Sequence, residues 1–249
     1  MDRLPAIAEL ERINRAGWPP LEAERIGGWE LRYSRGYTKR INSANAMPGA
    51  GSLARHLPAI EERYQARGLQ PVFRLTPLSP PDSDAVLEAA GYVRFDPSPV
   101  LLCPLDETAS GSGCEIAGRA NREWLEGFAL AQGLDAEARA AHEAILAAIP
   151  GHVSHGAVRN TQGRAVAFGI AVHTGPAIVI SDVIVHEGER RRGLARALVG
   201  ALMAHGKATG AAFALLNTRA ENHAALALYR SLGFAEVYRY HYRVRRAPA

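Results

Sequence analysis

Arg190-Arg191-Arg192-Gly193-Leu194-Ala195 joins an apolar run, Ile178 to Val185, to a segment of helical period. In that segment Leu194, Leu198, Ala201, Leu202 and His205 share one face, and the pattern stops at Gly210. A strand meeting a helix through a short basic turn makes an anion site. The first-turn N–H groups lack intrahelical partners, and the helix dipole adds positive potential there. Gly193 lets a phosphate reach backbone that a Cβ would shield. Three arginines add charge and bidentate donors suited to phosphate oxygens. The chemistry implied is the binding of a phosphorylated cofactor. Neither GxxxxGK[ST] nor a GxGxxG behind a strand is present, so P-loop and dinucleotide readings lose their main support.

Downstream, Ala211 to Asn217 reads as a strand and Asn222 to Phe234 as a helix with its stop. Asn222 is a good N-cap, Leu226 and Tyr229 share a helix face, and Gly233 suits the left-handed position after the helix. The basic turn resembles the Arg/Gln-x-x-Gly-x-Gly/Ala signature of the GNAT superfamily of N-acetyltransferases. The second segment resembles that family's helix opened by Asn, with a Tyr seven residues on and Gly-Phe after it. Two signatures in this order, one helix and one strand apart, are more specific than either alone. The resemblance covers the last hundred or so residues well.

The resemblance implies an α/β, GNAT-like acyl-CoA N-acyltransferase fold: a central mixed, mostly antiparallel sheet flanked by helices. It implies acetyl-CoA as co-substrate, no metal, and acetyl transfer to a primary amine by direct attack. Val183, Ile184 and Val185 then offer backbone to the pantetheine arm, and Arg190, Arg191, Arg192, Gly193, Leu194 and Ala195 hold the pyrophosphate. Tyr229 matches the family's donor of a proton to the departing thiolate. A phenol with pKa near 10 is protonated at neutral pH, although a buried Tyr can equally be a packing residue. Asn217 and Asn222 can reach the cofactor arm, and capping alone also accounts for Asn222. Asp182 is a candidate general base, directly or through water, or else the partner of an arginine. His173 is the other candidate base.

Positioning these groups requires two halves. Acidic and small residues over 106–113 read as a linker between an N-terminal part, 1–105, and a C-terminal part, 114–249. In the second part Arg122 to Gln132 and Asp135 to Ala148 read as helices, and Val153 to Asn160 and Ala165 to His173 as strands. The last strand has Tyr238, Tyr240, Tyr242 and Val244 on one face, the alternation of a half-buried antiparallel strand. The first part fits the same plan. Trp29 to Ser34 and Thr38 to Met47 read as strands, Leu53 to Arg67 as a helix, Pro71 to Leu75 as a strand, Ser83 to Ala90 as a helix and Tyr92 to Leu105 as an extended segment. Gly91-Tyr92 echoes Gly233-Phe234. Where the second half has its arginines, the first has Pro48-Gly49-Ala50-Gly51-Ser52. The expectation is a duplicated GNAT-like chain whose first half has lost cofactor binding. Arg40, Asn42 and Asn45 put polar groups on both faces of one strand, which makes it an edge strand or the lining of an acceptor cleft. With His173 they are candidate substrate contacts.

Composition bounds the rest. With 249 residues, 47% of them hydrophobic, the chain can bury a sizeable core, and a net charge of +4 is weak support for nucleic-acid binding. Cys103 and Cys114 are too few for a disulfide framework. The start lacks a signal-peptide layout and no apolar run is long enough for a membrane helix, so a cytoplasmic monomer or homodimer is expected. The acceptor is a small-molecule or peptide amine whose identity these patterns leave open. The rival function is a non-catalytic coenzyme A sensor or partner-docking protein.

Overall fold

A computed structural model describes residues 5–105 and 113–245. The first half runs α1 (Ile7–Ala16), β1 (Glu22–Ile26), β2 (Trp29–Tyr33), β3 (Ala44–Ala46), α2 (Leu53–Gln65), β4 (Val72–Leu75), α3 (Ser83–Ala89) and β5 (Tyr92–Pro104). The second runs β6 (Cys114–Ala117), α4 (Arg122–Gln132), α5 (Ala136–Ala148), β7 (Val153–Arg159), β8 (Ala165–Thr174), β9 (Ala177–Val185), α6 (Leu194–Ala208), β10 (Phe213–Asn217), α7 (His223–Ser231) and β11 (Ala235–Arg245). All but Gly113 of the expected linker lies outside the described residues.

The caps expected at Asp135 and Asn222 are made, and Asn121 supplies a third. Asn121, Asp135 and Asn222 accept bonds from the N–H groups of Trp124, Ala138 and Ala225, opening α4, α5 and α7. The structure adds α1, β1 and β6 to the elements expected. The strand expected over Thr38 to Met47 is also corrected. Lys39–Ile41 is a 3-10 turn, and only Ala44–Ala46 is strand. The cause is Asn42, whose side chain organises the loop. Its Oδ1 accepts from the N–H groups of Ser34 and Gly36, and its Nδ2 donates to the carbonyls of Tyr37 and Thr38. Nor is β3 an edge, since it lies between β2 and β4.

One continuous sheet contains all eleven described strands, in the order β1-β2-β3-β4-β11-β5-β10-β9-β8-β7-β6. It is mixed and mostly antiparallel; only β3–β4 and β9–β10 run parallel. The halves exchange strands at its centre. β5 of the first half lies between β10 and β11, and β11 of the second lies between β4 and β5. Along β9 the side chains alternate between layers. Ile178 and Ile180 pack with Leu198, Leu202, Leu226 and Tyr229 from α6 and α7. Ala177 and Val179 pack with Leu10 and Ile13 of α1. The close of α1 lies directly on β9, because a Cβ on Gly17 would stand 2.4 Å from that of Val179.

Candidate active site

The sheet opens beside β9. Pairing with β10 covers only Ala177–Val179 against Phe213–Leu215, whereas β8 follows β9 as far as Val185. From Ile180 onward, therefore, β9 turns a backbone edge toward a gap that β10 does not fill. At the mouth of this gap β9 bulges. Its register against β8 passes from Ile170/Ser181 to Phe168/Ile184, so Asp182 and Val183 together stand opposite Gly169. Asp182 adopts φ +57°, a left-handed conformation that a non-glycine residue holds only when its surroundings enforce it.

What holds Asp182 is a histidine. Its Oδ2 lies 2.7 Å from Nε2 of His142 on α5. An ionised carboxylate can only accept, so the ring N–H donates. His142 is 1% exposed and stacks on Phe128 at 4.4 Å between centroids, with Trp18 and Tyr37 of the first half also against it. Burial and the Asp182 carboxylate raise the Tyr37 phenol well above its ordinary value. The alternative reading of Asp182 as an arginine's partner is thus corrected: its partner is an imidazole, supplied by the buried face of α5.

Arg40 crosses from the first half to the parting strands. It donates to Asn217 Oδ1 at the end of β10 (2.9 Å) and to Ser181 Oγ on β9 (3.2 Å). Its turn is fixed from below by Arg32, which donates to the carbonyls of Arg40, Arg15 and Trp18. Complete burial pulls the Arg32 guanidinium down to about 10. Asn217 also donates to Asn14 of α1 and accepts from the Tyr240 hydroxyl. No sequence signal linked these residues, which lie up to 203 positions apart.

Beyond β9, Arg190, Arg191, Arg192 and Gly193 are exposed and lead into α6. Gly193 has φ +78°, no atom lies within 4 Å of a Cβ built on it, and no side chain caps the helix. The first-turn N–H groups of α6 therefore face open space beneath exposed arginines. Arg192 also pairs with Glu189 at 2.8 Å. Arg196 ties α6 to Ser231 at the end of α7. Tyr229 of α7 packs in the cluster that includes Val183, Val185 and Leu194. Its side chain makes no hydrogen bond among the described residues, yet its hydroxyl is not sealed from solvent. Burial pushes this phenol up to about 12.

The corresponding turn of the first half is closed. The N–H of Gly51 donates to Gly27, that of Met47 to Gly28 and that of Ala50 to Met47. A Cβ on Gly28 would meet the backbone of Ala50 at 2.8 Å. The β1–β2 hairpin turn thus takes up the amides of Met47 and Gly51, just ahead of α2.

Comparison with known proteins agrees with this geometry. The family described as "Probable histone acetyltransferase Rv0428c C-terminal" matches residues 5–243. The chain belongs to this family. It is a GNAT N-acetyltransferase. An "Uncharacterized N-acetyltransferase YobR" of Bacillus subtilis is 26% identical over 246 residues, covering 96% of this chain and 99% of that protein. A GCN5-related N-acetyltransferase from Kribbella flavida superposes with TM-score 0.74 at 16% identity, covering 99% of this chain and 98% of that one. A tandem GNAT protein from the clavulanic acid biosynthesis pathway does so with TM-score 0.67 at 14% identity, covering 98% and 89%. The last two likenesses bear on fold.

The acetyltransferase gathers some of the residues singled out in its sequence and separates others. Arg40, Asp182, Asn217 and the β9 edge meet at the gap. Asn42 serves the loop backbone. Asn45 is buried, donating to the Ser43 carbonyl and Ser43 Oγ. His173 lies toward the start of β9, paired with Ile178, beside His152 and Thr209. Asn222 is exposed and caps α7. Among the described residues no group of three or more His, Cys, Asp or Glu could hold a metal, and no helix is long and apolar enough to cross a membrane.

Proposed function

We propose that the enzyme transfers the acetyl group of acetyl-CoA to a primary amine by direct attack, using one site in its C-terminal half. The observation that carries this reading is the parting of β9 from β10 directly before the exposed Arg190–Ala195 turn. A parted strand supplies backbone partners for the amide-rich pantetheine arm, and the uncapped start of α6 suits a pyrophosphate. Arg190, Arg191, Arg192, Gly193, Leu194 and Ala195 would hold the pyrophosphate, and Val183, Ile184 and Val185 the arm. Acetyl-CoA supplies an activated thioester. Tyr229 supplies a proton to the departing sulfur, and its raised pKa keeps that proton available throughout the working pH range. Asp182 takes a proton from the amine nitrogen, and His142 holds the carboxylate in place. The closed Gly27–Gly51 contact supports a duplicated chain, halves 1–105 and 114–249, whose first half holds no cofactor. It keeps a role at the acceptor side through Arg40.

The family's description names a histone acetyltransferase, so a lysine of a protein is one acceptor to test. The deciding experiment is thiol release from acetyl-CoA by the full chain over a broad amine panel. Amine-dependent release is expected. Tight coenzyme A binding without transfer to any amine would favour a sensor.

A further inference from the structure

Among the described residues Arg40 has no carboxylate partner, unlike Arg15, Arg32, Arg74 and Arg243. Arg15 and Arg32 approach Glu30 at 3.5 and 3.6 Å. Arg74 grips Glu11 with both terminal nitrogens, and Arg243 meets Asp84 at 2.8 Å. Each of these guanidinium groups, taken largely out of water, has an anion. Arg40 is half-buried and no carboxylate oxygen among the described residues lies within 4 Å of it. Its two protein acceptors, Asn217 Oδ1 and Ser181 Oγ, are neutral, and its third contact is the face of Trp18 at 5.6 Å. A guanidinium does not lose its charge in a protein, so an anion is the partner its surroundings lack. Of its five N–H donors these bonds use two, leaving three for a ligand.

Arg40 also stands where the two strands part. Ser181 immediately precedes Asp182, and Asn217 ends the strand from which β9 parts. Buried Arg32 fixes the Arg40 carbonyl, so the guanidinium is presented rather than free to swing out. Arg40 thus bonds the residue before Asp182, bringing a positive group to the same stretch of β9 as the carboxylate held by His142.

We propose that the acceptor is a primary amine bearing a carboxylate close to its amino group, with Arg40 binding that carboxylate and Asp182 receiving the amine. This rests on the acetyl-transfer reading above. A single guanidinium beside the Asp182 carboxylate matches a monoanion; a phosphate dianion would be repelled by Asp182. From the neutral amine, Asp182 takes one proton as the nitrogen–carbon bond forms. Tyr229 gives one to sulfur as the carbon–sulfur bond breaks, and proton exchange through solvent restores both side chains. The products are an N-acetylamino carboxylate and a free thiol. The product is an amide, whose nitrogen cannot be protonated as an amine's can, so it forms no ion pair with Asp182 and departs.

The test is steady-state kinetics of the full chain with acetyl-CoA and matched acceptors. Amino acids are compared with their decarboxylated counterparts, such as lysine with cadaverine and tyrosine with tyramine. Phosphoethanolamine and a lysine-containing histone-tail peptide complete the set. The best acceptor should be an amino acid, with kcat/KM about 10- to 100-fold above its decarboxylated partner, the range expected for hydrogen bonds to a charged group. Arg40→Ala should erase most of that ratio by raising KM for the amino acid, with KM for acetyl-CoA unchanged. Arg40→Lys should restore part of it. Equal rates with and without the carboxylate, a ratio that survives in Arg40→Ala, or a preference for phosphoethanolamine or the peptide would each overturn the proposal. If acetyl-CoA binds but nothing in the set reacts, the carboxylate assignment falls alone. If acetyl-CoA does not bind, the cofactor reading itself has failed.

Discussion

At the scale of residues, the two side chains proposed to handle protons differ in how they are held. Tyr229 is buried among apolar neighbours and has no protein partner for its hydroxyl among the described residues. Tyr229→Phe should therefore leave packing and coenzyme A affinity nearly unchanged while slowing turnover by about a hundredfold, equivalent to about 2.7 kcal/mol. A fall of less than about threefold in kcat would make Tyr229 a packing residue. The pH profile is a second check. Burial favours the protonated phenol and moves its loss of proton up to about 12, so the acid remains intact above neutrality. Provided the fold persists, kcat should show no decline attributable to Tyr229 between pH 7 and 10; a basic limb that vanishes in Tyr229→Phe would contradict this. Asp182 is held instead by His142. His142→Phe keeps an aromatic ring on Phe128 but removes the donor. Stopped-flow or steady-state kinetics should show kcat lowered by about tenfold or more with KM for acetyl-CoA unchanged, because positioning is lost and the cofactor contacts are not.

At the scale of elements, what the sequence disclosed depended on how local the cause was. Alternation in Tyr238–Val244, caps at Asp135 and Asn222, and the stop at Gly233 are local, and the elements they imply are present. Asn42 bonding to five backbone groups is also local, but it competes with strand formation through side-chain geometry that periodicity does not register, so Thr38–Met47 misled. The His142–Asp182 pair spans 40 positions and the Asn14–Asn217 pair 203, and neither has a spacing pattern to find. Contact between α1 and β9 is of this kind too, and it is testable. In Gly17→Ala the new methyl would overlap Val179, forcing α1 off the strand whose far end forms the site. Overpacking typically costs about 1–3 kcal/mol. Chemical denaturation should show a lower midpoint with unchanged slope. An unchanged midpoint would mean that α1 docks more loosely than described.

At the scale of the whole molecule, the sheet is continuous because β5 and β11 each complete the other half. This topology was invisible in sequence order, where the two halves looked like successive units. Residues 114–249 alone would leave β10 and β11 without the strand that lies between them, exposing Leu216, Phe234 and the tyrosine face of β11. That fragment should aggregate or lack dispersed amide resonances in a proton–nitrogen NMR spectrum. A well-dispersed, active fragment would show that the exchange is dispensable.

The central proposal is that the C-terminal half holds the cofactor and the N-terminal half does not. Calorimetric titration of acetyl-CoA into the full chain and into Gly193→Val tests it most directly. One acetyl-CoA per wild-type chain is expected, with loss of binding in a folded Gly193→Val, whose Cβ would stand in the open approach to α6 and strain a φ of +78°. Two molecules bound per chain, or wild-type affinity in Gly193→Val, would contradict it.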